Sequence, residues 1–171
     1  MKVRTIGHGT RPAAALLEIL REAGVRTLVD VRRVPRSRWN PQYNRKAIED
    51  TILAAGLRYR HAQALGGLLT DEPGEERFPC VETPAFRSYA ARMGTPEWQE
   101  ELASVLQEPD PCLMCAETAW EHCHRRMISE LLVARGHDVV HLCPGETEHH
   151  RLSEYAEARD GRLYLCGELV A

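Results

Sequence analysis

Three times along the chain an amphipathic helical pattern runs into a glycine and then into a short apolar, β-rich run: "LREAGVRTLVDV", "ILAAGLRYRHA" and "LLVARGHDVVHL". Gly24, Gly56 and Gly136 fall where a helix ends on a left-handed residue, a backbone that glycine adopts most readily. Strands that follow such caps belong to helix-then-strand units, and these predict a mainly parallel sheet. The lengths between the three copies differ, so they are not repeats of a solenoid.

The same patterning predicts strands over about 2–7, 26–31, 57–61, 112–116, 138–142 and 162–166. It predicts helices over about 12–23, 44–55, 84–92, 96–107, 119–134 and 147–159. Thr83-Pro84 and Thr95-Pro96 each read as an N-cap followed by proline at the first helical position. "ALGGLLTDEPGEERFPCVE" is a polar excursion, and no linker divides the chain. The expected fold is a single three-layer α/β domain over residues 1–171, with helices on both faces of the sheet.

Composition agrees with that picture. At 171 residues, 43% hydrophobic and 27% charged, the chain has the length for a real core and the balance of a globular domain. No stretch approaches the roughly 18 apolar residues of a membrane span. The start, "MKVRTIGHGTRP", lacks the apolar centre of a signal peptide and reads directly as a strand. A cytoplasmic location is therefore expected, no membrane partner is expected, and the six cysteines read as thiols.

The net charge of −3 hides an asymmetry: residues 26–60 carry nine Lys or Arg against three acids, whereas "TDEPGEE" and "EWQEE" are acidic. A local basic run is most simply a solvated face; its sharper reading is an anion-binding surface. Trp39 and Tyr43 among the basic residues of "RRVPRSRWNPQYNRK" could stack on nucleic-acid bases, but the overall acidic balance argues against a general nucleic-acid binder.

In open parallel sheets ligands bind beyond the carboxyl ends of the strands. The expected strand ends bring His8, then Asp30, Arg32 and Arg38, then His61, then Cys115 and Glu117, then His141 and Cys143. Each alone is ordinary; their agreement predicts one pocket.

The ordered blocks "TIGHGT", "LVDVRRVPRSR", "LGG", "CAE", "CHRRMI" and "GHDVVHL", from about residue 3 to 142, resemble the signature of the domain-of-unknown-function 488 family. The resemblance implies a small α/β fold and a set of motif positions, not a reaction. By position these are His8, Asp30, Arg32, Pro35, Ser37, Arg38, Gly66, Gly67, Cys115, Glu117, Cys123, His124 and Arg125. Members commonly read "IGHS" where this chain has "IGHGT", so a role for that hydroxyl would pass to Thr10 or be lost.

The densest stretch is "LMCAETAWEHCHRRMI". Thr118-x-x-Glu121 fits a capping box, so a helix is expected from Ala119, with Trp120, Cys123, His124, Met127, Ile128, Leu131 and Leu132 as its inward stripe. Arg125 and Arg126 are then expected to point outward. Glu117, just after a buried strand, is expected to need a cationic partner among Arg32, Arg38 and Arg125. Cys112 and Cys115, three apart on a strand, face opposite sides of the sheet, so a closed four-ligand zinc site is not expected.

Three chemistries remain open. The reading that uses most residues is an enzyme for an anionic small molecule, nucleotide or nucleic acid. In it Arg32, Arg38 and Arg125 hold the anion and Gly66 and Gly67 allow close approach. Asp30 or Glu117 with His8 or His124 supplies acid–base catalysis. The second is a rhodanese-like cysteine nucleophile or a metal site built on Cys115, Cys123 and His124. The third is a ligand-sensing or protein-binding module without catalysis. No P-loop or dinucleotide fingerprint occurs, and the sequence names no cofactor.

Overall fold

A computed structural model describes residues 1–67, 74–143 and 145–171. The larger sheet is formed by β1 (Lys2–Gly7), β2 (Thr27–Asp30), β3 (Arg58–His61), β4 (Pro111–Cys115), β5 (Asp138–Cys143) and β6 (Glu146–His149). Their spatial order is β3-β2-β4-β1-β5-β6. The first five are parallel to one another, and β6 returns antiparallel to β5 as an edge strand.

Alternation along the strands feeds two cores. On one face, Ile6, Leu28, Cys112 and Met114 pack against α1 (Ala13–Glu22) and α2 (Arg45–Ala54) through Leu16, Leu20, Ile48 and Ile52. On the other, Val3, Val29, Leu113 and Cys115 meet α3 (Pro84–Met93), α4 (Pro96–Val105) and α5 (Arg125–Ala134). Cys112 and Cys115 thus lie on opposite faces, as the strand period requires. Helices cover both sides, and the expected α/β architecture is present. The three glycine caps are too: Gly24, Gly56 and Gly136 have φ of 67°, 76° and 79°.

Two expectations need correction. Residues 147–159 are not a helix. They form β6, a loop, and β7 (Ala156–Arg159), which joins β8 (Arg162–Leu165) and β9 (Glu168–Leu169) in a separate antiparallel sheet. "ETEHHRLSEYAEAR" is rich in helix formers but lacks an apolar stripe. Its first four residues gain ladder bonds from the open edge of β5 instead. Nor are all six cysteines thiols: Cys80 and Cys166 form a disulfide, tying the segment before α3 to the turn between β8 and β9. That contact joins residues 86 apart, which no spacing rule could reveal. No helix among the described residues is long and apolar enough to cross a membrane.

Adjacent strands β2 and β4 send the chain in opposite directions. From β2 it runs through α2 to the outer β3; from β4 it runs through α5, past β1, to β5. In open parallel sheets, ligand sites lie beyond the carboxyl ends of two strands that part in this way. Val31 and Cys115 stand at those two ends.

Candidate active site

Cys115 ends β4 on the face covered by α5, and this places its thiol, 7% exposed, under the start of that helix. The chain then makes a single 3₁₀ turn at Trp120–His122, extends at Cys123 (φ −118°, ψ 148°), and enters α5 with His124 as its N-cap. The helix expected from Ala119 therefore begins at Arg125. The Trp120 ring stacks on His141 of β5, with centroids 4.3 Å apart and planes 6° from parallel, and this holds the turn out of helical phase. The phase change has a consequence: Arg125, expected to face outward, points inward and is 1% exposed.

Two sulfurs and one imidazole converge. His124 Nδ1 lies 3.8 Å from Cys115 Sγ and 3.7 Å from Cys123 Sγ, and the three donor atoms fall within 4.8 Å of one another. His124 Nε2 lies 3.1 Å from the Val31 carbonyl. A carbonyl only accepts, so Nε2 carries a proton and Nδ1 turns to the sulfurs. Gly67 packs on this ring: a β-carbon there would sit 2.8 Å from His124 Nδ1.

Arg125 completes the group. Its Nε donates to Cys123 Sγ at 3.4 Å, Nη1 to Thr5 Oγ1 at 3.2 Å, and Nη2 to the Glu117 carbonyl at 2.5 Å. The hydrogen bond from Cys115, then His124 and Arg125, hold the Cys123 thiol well below its ordinary range against its burial. Cys115 is pushed the other way, first by that same bond to Cys123 and then by burial. Cys112, on the far face, is pushed up to about 12 by burial.

A second cluster lies beside the first. Arg32 grips Asp30 with Nε at 2.8 Å and Nη2 at 2.5 Å, while Nη2 also reaches the Tyr43 carbonyl at 2.8 Å. Its Nη1 donates to His8 Nε2 at 3.1 Å, and His8 Nδ1 donates to the Gly9 carbonyl at 2.8 Å. His8 also stacks on Tyr43 at 3.9 Å, and burial lowers its pKa to about 4. His8, Asp30 and Arg32 are thus brought together, but their polar atoms are spent on one another.

The other expected residues separate from these clusters. Glu117 and Arg38 are exposed side chains. Arg125 takes the backbone carbonyl of Glu117 and not its carboxylate, so the expected buried ion pair does not form. Gly66 allows close approach to the protein's own backbone: its β-carbon would lie 2.6 Å from Arg33 N. Four residues were not foreseen as a group. Thr5, His141, His150 and Glu130, all buried, lie in line behind Arg125. Only His141 stood out in the sequence, as a strand-end histidine.

The three converging donors are also the residues that could hold a soft cation. Among known proteins, the family model described as domain of unknown function DUF488 matches residues 12–132 of the 171, and the chain belongs to that family. Neither a curated protein nor a solved structure matches it. The matched span includes Asp30, Arg32, Cys115, Cys123, His124 and Arg125; Thr5, His8, His141 and His150 fall outside it.

Proposed function

We propose that this DUF488 member is a cysteine-dependent enzyme whose nucleophile is Cys123, acting by group transfer on an anionic substrate. One observation carries the reading. Arg125 is 1% exposed, yet its acceptors are Cys123 Sγ, the Thr5 hydroxyl and two backbone carbonyls, with no carboxylate among them. A buried cation needs a counter-charge. The acid that touches it is the Cys123 thiol, so the thiolate is the state this site favours.

The chemistry follows from the atoms in contact. Cys123 enters the reaction as the thiolate, its proton held at His124 Nδ1, whose orientation the Val31 carbonyl fixes through Nε2. The sulfur attacks an electrophilic centre, a bond from sulfur to that centre forms, and the bond to the leaving group breaks. The proton on Nδ1 passes to the leaving group. Water or a second acceptor then attacks the same centre and gives its proton to His124 Nδ1 as the bond to sulfur breaks, so the thiolate returns. Substrate approaches across the basic segment after β2, where Arg36, Arg38 and Trp39 are exposed.

Brief treatment with iodoacetamide at pH 6 followed by peptide mapping tests this. Cys123 is 2% exposed and Cys143 is more accessible, but burial and nearby carboxylates raise the Cys143 thiol above its ordinary range. Cys123 is expected to be alkylated first. Modification of Cys143 ahead of Cys123 would overturn the assignment.

A second reading is favoured by the distances. Zinc holds sulfur at about 2.3 Å and nitrogen at about 2.0–2.1 Å, so a tetrahedral S···N edge is roughly 3.6 Å. The two observed S···N separations, 3.8 and 3.7 Å, are close to it. An Nε2–H bonded to a carbonyl is also the usual support of a ligating histidine. Cys115, Cys123 and His124 would then hold a soft divalent ion in a three-ligand site. Elemental analysis separates the readings: about one zinc per chain, lost in Cys123→Ser and His124→Ala, supports the metal. Metal-free protein with a fast-reacting Cys123 supports the nucleophile.

A further inference from the structure

Behind Arg125 the polar atoms run on in a line that neither catalytic reading uses. Thr5 Oγ1 lies 2.7 Å from His141 Nδ1, and His141 Nε2 lies 3.0 Å from His150 Nδ1. His150 Nε2 faces Glu130 Oε2 at 3.6 Å, too long for a hydrogen bond but within ion-pair range. The Glu130 carboxylate also accepts from the Ser153 amide and hydroxyl. Thr5 and Glu130 are fully buried, and His141 and His150 are 1% and 6% exposed. Polar groups aligned in a core carry a desolvation cost that the hydrogen bonds between them offset.

We infer that Thr5, His141 and His150 form a one-directional hydrogen-bond relay, its far end facing Glu130, that positions Arg125 against Cys123. Its direction follows from donor counting. A guanidinium only donates, so Thr5 Oγ1 accepts from Arg125. The Thr5 hydroxyl hydrogen is then buried and needs an acceptor, and His141 Nδ1 is the atom in reach. His141 Nδ1 is therefore bare, Nε2 carries the hydrogen, and that hydrogen points to His150 Nδ1. His150 in turn presents Nε2–H to the Glu130 carboxylate. Each link fixes the next tautomer, and burial, which lowers the His141 pKa to about 3, keeps that ring neutral.

The relay meets the site a second time. Trp120, on the turn that leads to Cys123, lies flat on His141 and edge-on to His150 at 5.0 Å, and its Nε1 donates to Glu148 at 3.0 Å. One buried network thus fixes both the arginine beside the sulfur and the turn that delivers it. Thr5 and His141 are positioning residues: they act on the sulfur through Arg125.

The consequence for reactivity rests on the Cys123 reading; the relay itself does not, and two measurements keep them apart. Nitrogen-15 spectra of the histidine rings should show His141 and His150 both as Nε2–H tautomers at pH 7. His141 carrying its hydrogen on Nδ1 overturns the relay. The second measurement is the ratio of rates at which Cys123 reacts with iodoacetate and iodoacetamide, in which access largely cancels and the charge beside the sulfur remains. Thr5→Val keeps the shape but removes the hydroxyl, and should lower that ratio roughly fivefold, the size of one ordinary charge contact. Thr5→Ser should restore it. An unchanged ratio in Thr5→Val, with the fold intact by circular dichroism, overturns the positioning role. If Cys123 reacts with neither reagent, the nucleophile reading falls and the tautomers alone decide the relay.

Discussion

Arg32 and Arg125 are both buried arginines beside a histidine near the carboxyl ends of the strands, yet they sit in opposite electrostatic situations. Arg32 holds the Asp30 carboxylate with two nitrogens, and His8 and Tyr43 close the remaining sides. Asp30 is fully buried and accepts from Tyr59 as well. Within that cluster the carboxylate, the guanidinium and the imidazole bond chiefly to one another. Arg125 has a sulfur where Arg32 has a carboxylate. A thiol carries a charge only once it has given up its proton, and it can take that proton back. The same residue type therefore acts as a structural clamp in one place and as support for reactive chemistry in the other.

Removing each arginine should separate the two roles. Arg32→Met strands a fully buried carboxylate and should cost about 3–5 kcal/mol, read as a fall in the denaturant midpoint. Arg125→Met leaves behind a thiol that can reprotonate, so its stability loss should be roughly half as large or less. Equal losses would mean that Cys123 is not the counter-charge of Arg125.

Acid should weaken the molecule through its buried histidines. The His8 and His141 pKa values are lowered to about 4 and about 3, against roughly 6.5 when unfolded. The unfolded chain therefore binds more protons between these values, and stability falls as pH drops from about 6.5 toward 4. At pH 5 unfolding should take up about two protons from this pair, measurable as the slope of stability against pH. A flat profile would mean that these rings are protonated in the fold.

Gly67→Ala is a smaller perturbation aimed at one cluster. Its β-carbon would press on His124 Nδ1, so a stability loss of about 1–3 kcal/mol is expected, with slower alkylation of Cys123. Glu117→Gln is the smallest. With its side chain in solvent, it should change stability by less than about 0.5 kcal/mol and leave the Cys123 rate unaltered.

The parallel sheet was legible because its signals are local. A glycine cap and an adjacent apolar run are determined within a dozen residues. The strand-end position of the candidate residues was legible, since it follows from the strand boundaries, but their internal wiring was not. The break before α5 depends on Trp120 meeting His141, which is distant in sequence, and the inward turn of Arg125 follows from that break. Thr5 reads as an ordinary strand residue and Glu130 as a solvated helix position. His150 falls in a segment whose composition favours helix while the open edge of β5 makes a strand beside it. Asp30, Arg32 and His8 lie together, whereas Glu117, expected in the same cleft, is in solvent. Charge alone could not tell that they satisfy one another.

The ionisation state of Cys123 tests the account most directly. Thiolate absorbance in the ultraviolet, recorded at pH 6 for the wild-type protein, Cys123→Ser and Arg125→Met, measures it without requiring any reagent to enter the site. One thiolate per chain is expected in the wild type, absent in Cys123→Ser and reduced in Arg125→Met. A wild-type spectrum free of thiolate at that pH, or an Arg125→Met spectrum that keeps it undiminished, would contradict the claim that this buried arginine and cysteine are each other's charge partner.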